Sequence, residues 1–219
     1  MISEKHIQTL DLELAGHKLV VQKGSDVDSL WEDLLEGEGP GSEDRIPYWT
    51  EIWPCSVVLA EHLNNCQDML RNKLCLEVGC GLGVTSMVAA KLGARVMALD
   101  IEWHAVYYAL HNAILNNIFH VQWVSMDWKQ PSLKSQQFDF IWAGDVLYEK
   151  RFALPLASFL NDNLAPGGKV WIADQDRNIS QKTWPVLFDN GFQGRELTQR
   201  RVQWFGQHPW VRLVELTRK

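Results

Sequence analysis

Leu74-Cys75-Leu76-Glu77-Val78-Gly79-Cys80-Gly81-Leu82-Gly83 opens as an apolar run and closes as a glycine-dense turn. A helical pattern follows, and a second apolar run, Arg95-Val96-Met97-Ala98-Leu99, ends on Asp100. A strand, a tight turn, a helix and an acid closing the second strand make a nucleotide-binding half-fold. Glycine permits positive φ and lets a ligand approach the backbone. A carboxylate at the second strand end can accept bonds from ribose hydroxyls.

Spacing separates the candidate nucleotides. A dinucleotide fingerprint reads G-x-G-x-x-G. Here the glycines are Gly79, Gly81 and Gly83, and Val84 stands where the third fingerprint glycine belongs. Glu77 stands two residues before the first glycine. The resulting E-x-G-x-G-x-G resembles the first motif of class I S-adenosylmethionine (SAM)-dependent methyltransferases. In that family the loop backs onto the amino acid part of the cofactor, which implies contacts from Glu77, Gly79, Cys80, Gly81 and Gly83. A glycine-rich turn with no ligand is the alternative. Asp100 opposes it, because it lies about 20 residues on, where a ribose-binding acid is expected.

Composition sets wide bounds. The chain has 219 residues, enough for one well-buried α/β domain and short for two. Its hydrophobic content of 46% and charged content of 22% suit a soluble globular protein. No window approaches a membrane-spanning run, and Glu4 and Lys5 interrupt the N-terminus, so neither a membrane span nor a signal peptide is expected and the cytoplasm is the expected location. The net charge of −6, without a basic patch, argues against a nucleic-acid partner and is compatible with a basic substrate. Cys55, Cys66, Cys75 and Cys80 show no paired C-x-x-C spacing, so no zinc site is expected and reduced thiols fit a cytosolic protein. His104 and His111 lie seven apart on one expected helix without a third ligand at suitable spacing, so no metal is expected there either.

Residues 6–22 alternate loosely around Ala15-Gly16-His17 and read as a β-hairpin. Val27, Leu30, Trp31, Leu34 and Leu35 recur at helical spacing, and Gly37 to Ser42 reads as a connector. A helix begins at residue 55. From residue 74, strands (74–78, 95–99, 121–125, 138–143, 169–173) alternate with helices (83–92, 103–116, 151–163, 180–190), the sign of a mostly parallel sheet with helices on both faces. Ala165-Pro166-Gly167-Gly168 is a turn ahead of the fifth strand. The tail reads as strands at Gln193–Gln199, Val202–Phe205 and Trp210–Leu216, with a hairpin at Gly206-Gln207-His208-Pro209. The expected architecture is one domain, an extension over 1–45 and a core over 46–219. The methyltransferase resemblance implies that the core is a seven-stranded, mostly parallel Rossmann-like sheet with an antiparallel final strand.

Ligands of open α/β sheets bind beyond the carboxyl ends of the strands, near the point where strand order reverses. The first four strand ends hold Glu77-Val78-Gly79, Asp100, Asp127-Trp128 and Ala143-Gly144-Asp145. Asp100 suits ribose hydroxyls, or the N-cap of helix 103–116. Asp127 can accept from an adenine amine and Trp128 can cover the ring, or they are a loop acid and a core ring. Eleven tryptophans are unusual, and Trp49, Trp53, Trp128 and Trp142 fall near this end of the sheet while Trp171 and Trp210 fall inside apolar runs.

Asp145-Val146-Leu147-Tyr148 follows the fourth strand, where methyltransferases acting on nitrogen place a substrate-facing motif. The prolines of the base-amino enzymes are missing, and D-x-x-Y resembles instead the family 16 protein lysine methyltransferases. The segment Pro47-Tyr48-Trp49-Thr50-Glu51-Ile52-Trp53-Pro54 resembles that family's aromatic stretch before the first helix. Leu164 to Asp174 is similar to the branch that includes the electron transfer flavoprotein β-subunit lysine methyltransferases. The likeness covers about residues 45–175. It implies that Trp53, Ile101, Trp128 and Ala143 contact SAM, and that Asp145 and Tyr148 carry catalysis. Asp145 would orient an incoming amine, and Tyr148 would wall the site and favour a methylammonium by cation–π attraction. For Asp145 the alternative is a cap on helix 151–163. The expected activity is methyl transfer to a nitrogen, most readily a lysine of a protein substrate, by a chain expected to be monomeric. Other readings are a small-amine or nucleic-acid methyltransferase, a non-catalytic SAM-binding protein and a nicotinamide enzyme, which Val84 opposes.

Overall fold

The computed structural model describes residues 7–24 and 48–219. The helix expected at 27–35 and the connector at 37–42 lie outside the described residues. Strands β1 (Ile7–Leu14) and β2 (His17–Gly24) pair antiparallel as a two-stranded sheet. Ala15 and Gly16 join them, both at positive φ (50° and 80°), the primed turn that matches the strands' twist.

After a short 3-10 turn (Tyr48–Thr50) come helix α1 (Cys55–Asn65) and then the alternating series. It runs β3 (Leu74–Val78), α2 (Val84–Lys91), β4 (Arg95–Asp100), α3 (Trp103–Leu115), β5 (Gln122–Ser125) and β6 (Phe138–Gly144). It continues with α4 (Ala153–Asn163), β7 (Leu164–Gln175), α5 (Asn178–Asp189), β8 (Phe192–Arg201) and β9 (Trp210–Arg218). The main sheet has seven strands in the order β5-β4-β3-β6-β7-β9-β8, and only β9 runs against the others. The chain steps outward from β3 through β4 to β5 and then returns to the other side of β3. Strand order therefore reverses between β3 and β6.

Both sheet faces are buried. Trp142 and Trp171, paired across β6 and β7, pack on one face with α1, α2 and α3. Ile141, Val170 and Ile172 pack on the other with α4 and α5. The near-continuous apolar strands follow, since a parallel sheet with helices on both faces leaves no solvated side. The small sheet is fastened to α3 by two asparagines. Asn112 accepts from the Gln22 amide (2.7 Å) and donates to its carbonyl (3.1 Å), and Asn116 does the same for Val20 (2.9 and 2.7 Å). Their carboxamides satisfy an edge that would otherwise be open.

Two local expectations need correction. Ala165-Pro166-Gly167-Gly168 does not precede the strand but interrupts it: Leu164 pairs with Phe138 and Lys169 with Phe140, so the turn bulges out of β7. Val202–Phe205 is not a strand. Trp204 makes an isolated bridge with Gln207, and its indole donates to the Ile52 carbonyl at 2.7 Å. A tertiary hydrogen bond there outweighs local β propensity.

Candidate functional site

The carboxyl ends of β3, β4 and β6 open into one cavity of about 830 Å³. The glycine loop after β3 folds back on the end of β4. The Gly79 and Cys80 amides both donate to the Leu99 carbonyl at 2.9 Å, and the Gly81 amide donates to Asp100 Oδ2 at 2.9 Å. Gly79 (φ 71°) and Gly81 (φ 49°) take the left-handed conformation that leaves this wall bare of side chains. Asp100 Oδ1 accepts from the Glu102 amide at 3.1 Å. Asp100 therefore does not cap α3, whose N-cap is Glu102. Burial raises its carboxyl to about 6, against the pull of the Gly81, Glu102 and Ile101 amides. A carboxylate offers about four acceptor positions, so capacity remains for a further donor.

Glu77 is buried beneath the loop and accepts from the Thr85 and Ser86 hydroxyls on the first turn of α2. Burial pushes its carboxyl up to about 7. After β5, Asp127 lines the cavity, and its Oδ1 accepts from the Lys129 amide (2.9 Å), which fixes a turn. Trp128 lies edge-on to Phe152, and its indole nitrogen is buried without a hydrogen-bond partner among the described residues.

Asp145 leaves β6 at φ 56°, and its amide donates to the Ala173 carbonyl at 2.7 Å. Its carboxylate does not cap α4, whose preceding turn carries no side-chain cap. Arg177 grips it instead, with Nη1 on Oδ1 (2.8 Å) and Nη2 on Oδ2 (3.0 Å), while Gln175 Nε2 donates to Oδ2 (2.8 Å). Tyr48 stands between Trp53 and Tyr148, at 6.0 and 5.2 Å between ring centres, and Phe152 lies 5.4 Å beyond Tyr148. The Trp53 indole is fixed by donation to the Tyr48 carbonyl (2.8 Å), and the Arg177 guanidinium lies 5.9 Å from its ring. Burial and nearby acids, Glu149 first, raise the Tyr148 phenol to about 12, so it stays neutral.

Of the thirteen residues assigned to the site from the sequence, eleven line this one cavity: Trp53, Glu77, Gly79, Cys80, Gly81, Asp100, Ile101, Asp127, Trp128, Asp145 and Tyr148. Gly83 and Ala143 do not. A side chain on Gly83 would meet Trp123 at 2.6 Å, so this glycine serves helix packing. Strand alternation turns the Ala143 side chain to the far face with Ile141, and Gly144 lines the cavity instead. Tyr48, Phe152, Gln175 and Arg177 went unread. The strand-end rule, carried one strand further to β7, reaches Gln175-Asp176-Arg177.

A model of a family described as lysine methyltransferase matches residues 47–189. The chain belongs to the lysine methyltransferase family. Its cofactor is accordingly S-adenosylmethionine. The residues present fit that group: a side-chain-free wall at Gly79 and Gly81, an acid with acceptor capacity to spare, and the Trp128 indole N–H, which has no partner among the described residues.

Among its relatives, this lysine methyltransferase family member is 32% identical over 147 residues to the histone-arginine methyltransferase METTL23 of Xenopus laevis, covering 64% of the chain and 61% of the relative. It is 30% identical over 133 residues to the electron transfer flavoprotein beta subunit lysine methyltransferase of Danio rerio, covering 60% and 51%. It is 28% identical over 130 residues to the histidine protein methyltransferase 1 homolog of Dictyostelium discoideum, covering 57% and 42%. The matched stretch thus spans 42% to 61% of these relatives. Among solved structures, the ribosomal protein L11 methylase of Lactobacillus delbrueckii subsp. bulgaricus superposes with a TM-score of 0.58 at 25% identity, covering 75% of this chain and 77% of that one. The T. thermophilus 16S rRNA N2 G1207 methyltransferase, in complex with AdoMet and guanosine, shares the fold with a TM-score of 0.66 at 16% identity, covering 98% and 51%. Among the described residues, no helix is long and apolar enough to cross a membrane. No group of three or more His, Cys, Asp or Glu side chains among them could hold a metal.

Proposed function

We propose that this chain is a SAM-dependent N-methyltransferase that modifies a nitrogen side chain of a protein, with lysine as the acceptor. One observation carries the reading: Asp145 and Tyr148 stand in the same cavity as the glycine loop and Asp100. When bound, S-adenosylmethionine would supply an electrophilic sulfonium methyl, displaced in line by a nitrogen lone pair so that the C–S bond breaks as the N–C bond forms, S-adenosylhomocysteine leaves and the methylated nitrogen gives its proton to water. The chain's own work is then to bind, align and exclude water.

Asp100 would accept from the ribose hydroxyls, with Ile101 beside it. Asp127 and Trp128 would hold the adenine, and Gly79, Cys80 and Gly81, with Glu77 beneath their loop, would back the amino acid part. Trp53 would cover the cofactor. Asp145 accepts a hydrogen bond from the incoming amine and aims its lone pair, and Tyr148 with Tyr48 walls off solvent. Lysine is mostly protonated at neutral pH, so the site must lower its pKa or let the proton leave to water. The net charge of −6 favours a basic protein surface as substrate over a nucleic acid. Arginine is the second reading, favoured by the similarity to METTL23. In this reading residues 46–219 form the catalytic core of a single domain.

The experiment is transfer of isotope-labelled methyl groups from SAM to the proteins of cells that lack the gene, followed by mass spectrometry of the modified residues. Label on lysine supports the proposal. Label on arginine moves the chain to the second reading. Label that nuclease removes and protease leaves overturns both.

A further inference from the structure

We propose that Arg177 is a positioning residue that reduces Asp145 to a single-point hydrogen-bond acceptor, so that the site receives its substrate nitrogen as a neutral amine and not as a cation. The inference rests on the reading that Asp145 faces the acceptor nitrogen. An ionised carboxylate offers about four lone-pair positions. Three of those on Asp145 are taken: one on Oδ1 by Arg177 Nη1, and two on Oδ2 by Arg177 Nη2 and Gln175 Nε2. Among the described residues one position remains, on Oδ1. A single acceptor position can orient an N–H. It cannot serve as full countercharge to an ammonium, because the guanidinium already neutralises the carboxylate in a bidentate fork.

The fork is held in place. Arg177 is the residue before α5, and its carbonyl accepts from the Ser180 hydroxyl (2.8 Å) and the Gln181 amide (3.2 Å). The Trp53 ring lies against the guanidinium. Asp174, the other acid whose field reaches the buried Cys55 thiol beside Asp145, is taken by Arg212 at 3.3 Å. Arg177 is thus the cation assigned to Asp145. A purely structural role, in which a buried carboxylate simply needs a partner, makes the same contacts. The two roles differ in the protonation state the site accepts: on the proposal the wild-type affinity for n-butylamine measured by NMR rises about tenfold from pH 8 to pH 9, as the neutral fraction does, and that of R177M does not, whereas a structural role leaves both flat with pH.

The test is binding of n-butylammonium to the protein loaded with S-adenosylhomocysteine, followed by NMR at pH 8. The proteins are wild type, R177M, R177Q and the double variant R177M/D145N. Removing the guanidinium exposes the carboxylate, so R177M should bind the cation about tenfold more tightly than wild type, the factor that one pKa unit of interaction represents. R177Q keeps hydrogen bonds without charge and should move the same way, which decides the matter if R177M folds poorly. The double variant should return to the wild-type affinity. Equal or weaker binding by both R177M and R177Q overturns the proposal. The measurement needs no protein substrate, so a wild-type chain that methylates no protein would overturn the functional reading and leave this result to be judged alone.

Discussion

The Gly81 amide donates to Asp100 Oδ2 at 2.9 Å, so the loop after β3 and the acid closing β4 form one unit. The carboxylate that faces the cavity is also the anchor of the cavity's glycine wall. Loop and acid, read separately in the sequence, therefore stand or fall together.

Replacing Asp100 with Ala removes a charge-assisted acceptor worth about 1.5–3 kcal/mol. SAM affinity measured by calorimetry should fall at least about tenfold while the fold persists. The Asp100 carboxyl sits at about 6, so in the wild type affinity should also weaken as pH drops from 7.5 through that value. Asp100→Ala should lose this pH dependence. Unchanged affinity in the variant would remove Asp100 from the cofactor site.

Glu77 gives a stability signature of its own. Burial keeps the Glu77 proton on up to about pH 7 in the folded protein, while a free glutamate side chain loses it near 4.5. Between these values the folded state binds more protons than the unfolded state, so this group's contribution falls as pH rises. Through this group the cofactor-free protein should be more stable at pH 5.5 than at pH 7.5, by on the order of 2 kcal/mol, and should melt correspondingly higher. Glu77→Gln should flatten the profile. An equally steep profile in the variant would locate the effect elsewhere.

Asn112 is fully buried and joins three pieces: its carboxamide pairs with the Gln22 backbone and also donates to the Leu82 carbonyl at 3.2 Å. Asn112→Ala leaves these groups without partners, at about 1–3 kcal/mol for a buried one. Denaturant titration should show that loss, and hydrogen exchange should speed at Gln22. Asn112→Asp should be worse, because it buries a charge against two carbonyls.

The elements legible in the sequence were those with strong local signals. Glycine spacing, apolar runs bounded by turns and an acid at a strand end are short-range patterns, and they located β3, β4, the loop between them and most of the cavity wall. The misses share another cause. Arg177 and Asp145 lie 32 residues apart, and only the β6–β7 pairing brings them together. Trp204 looked like part of a strand until its bond to Ile52, 152 residues away, was in view. Ala143 was assigned through the family resemblance, and the strand's period of two puts its side chain in the core on the far face of the sheet, with Gly144 lining the cavity.

The central claim is that Asp145 serves methyl transfer and not cofactor binding. Asp145→Asn is the sharpest probe, because asparagine tolerates the positive φ of 56° and still accepts one bond from Arg177. The same purified variant should be assayed for melting temperature, SAM affinity and methyl transfer to protein from cells that lack the gene. The account predicts a loss of transfer on the order of a hundredfold, with SAM affinity unchanged and melting shifted by only a few degrees. A variant that is stable, binds SAM and transfers methyl groups at the wild-type rate would contradict it.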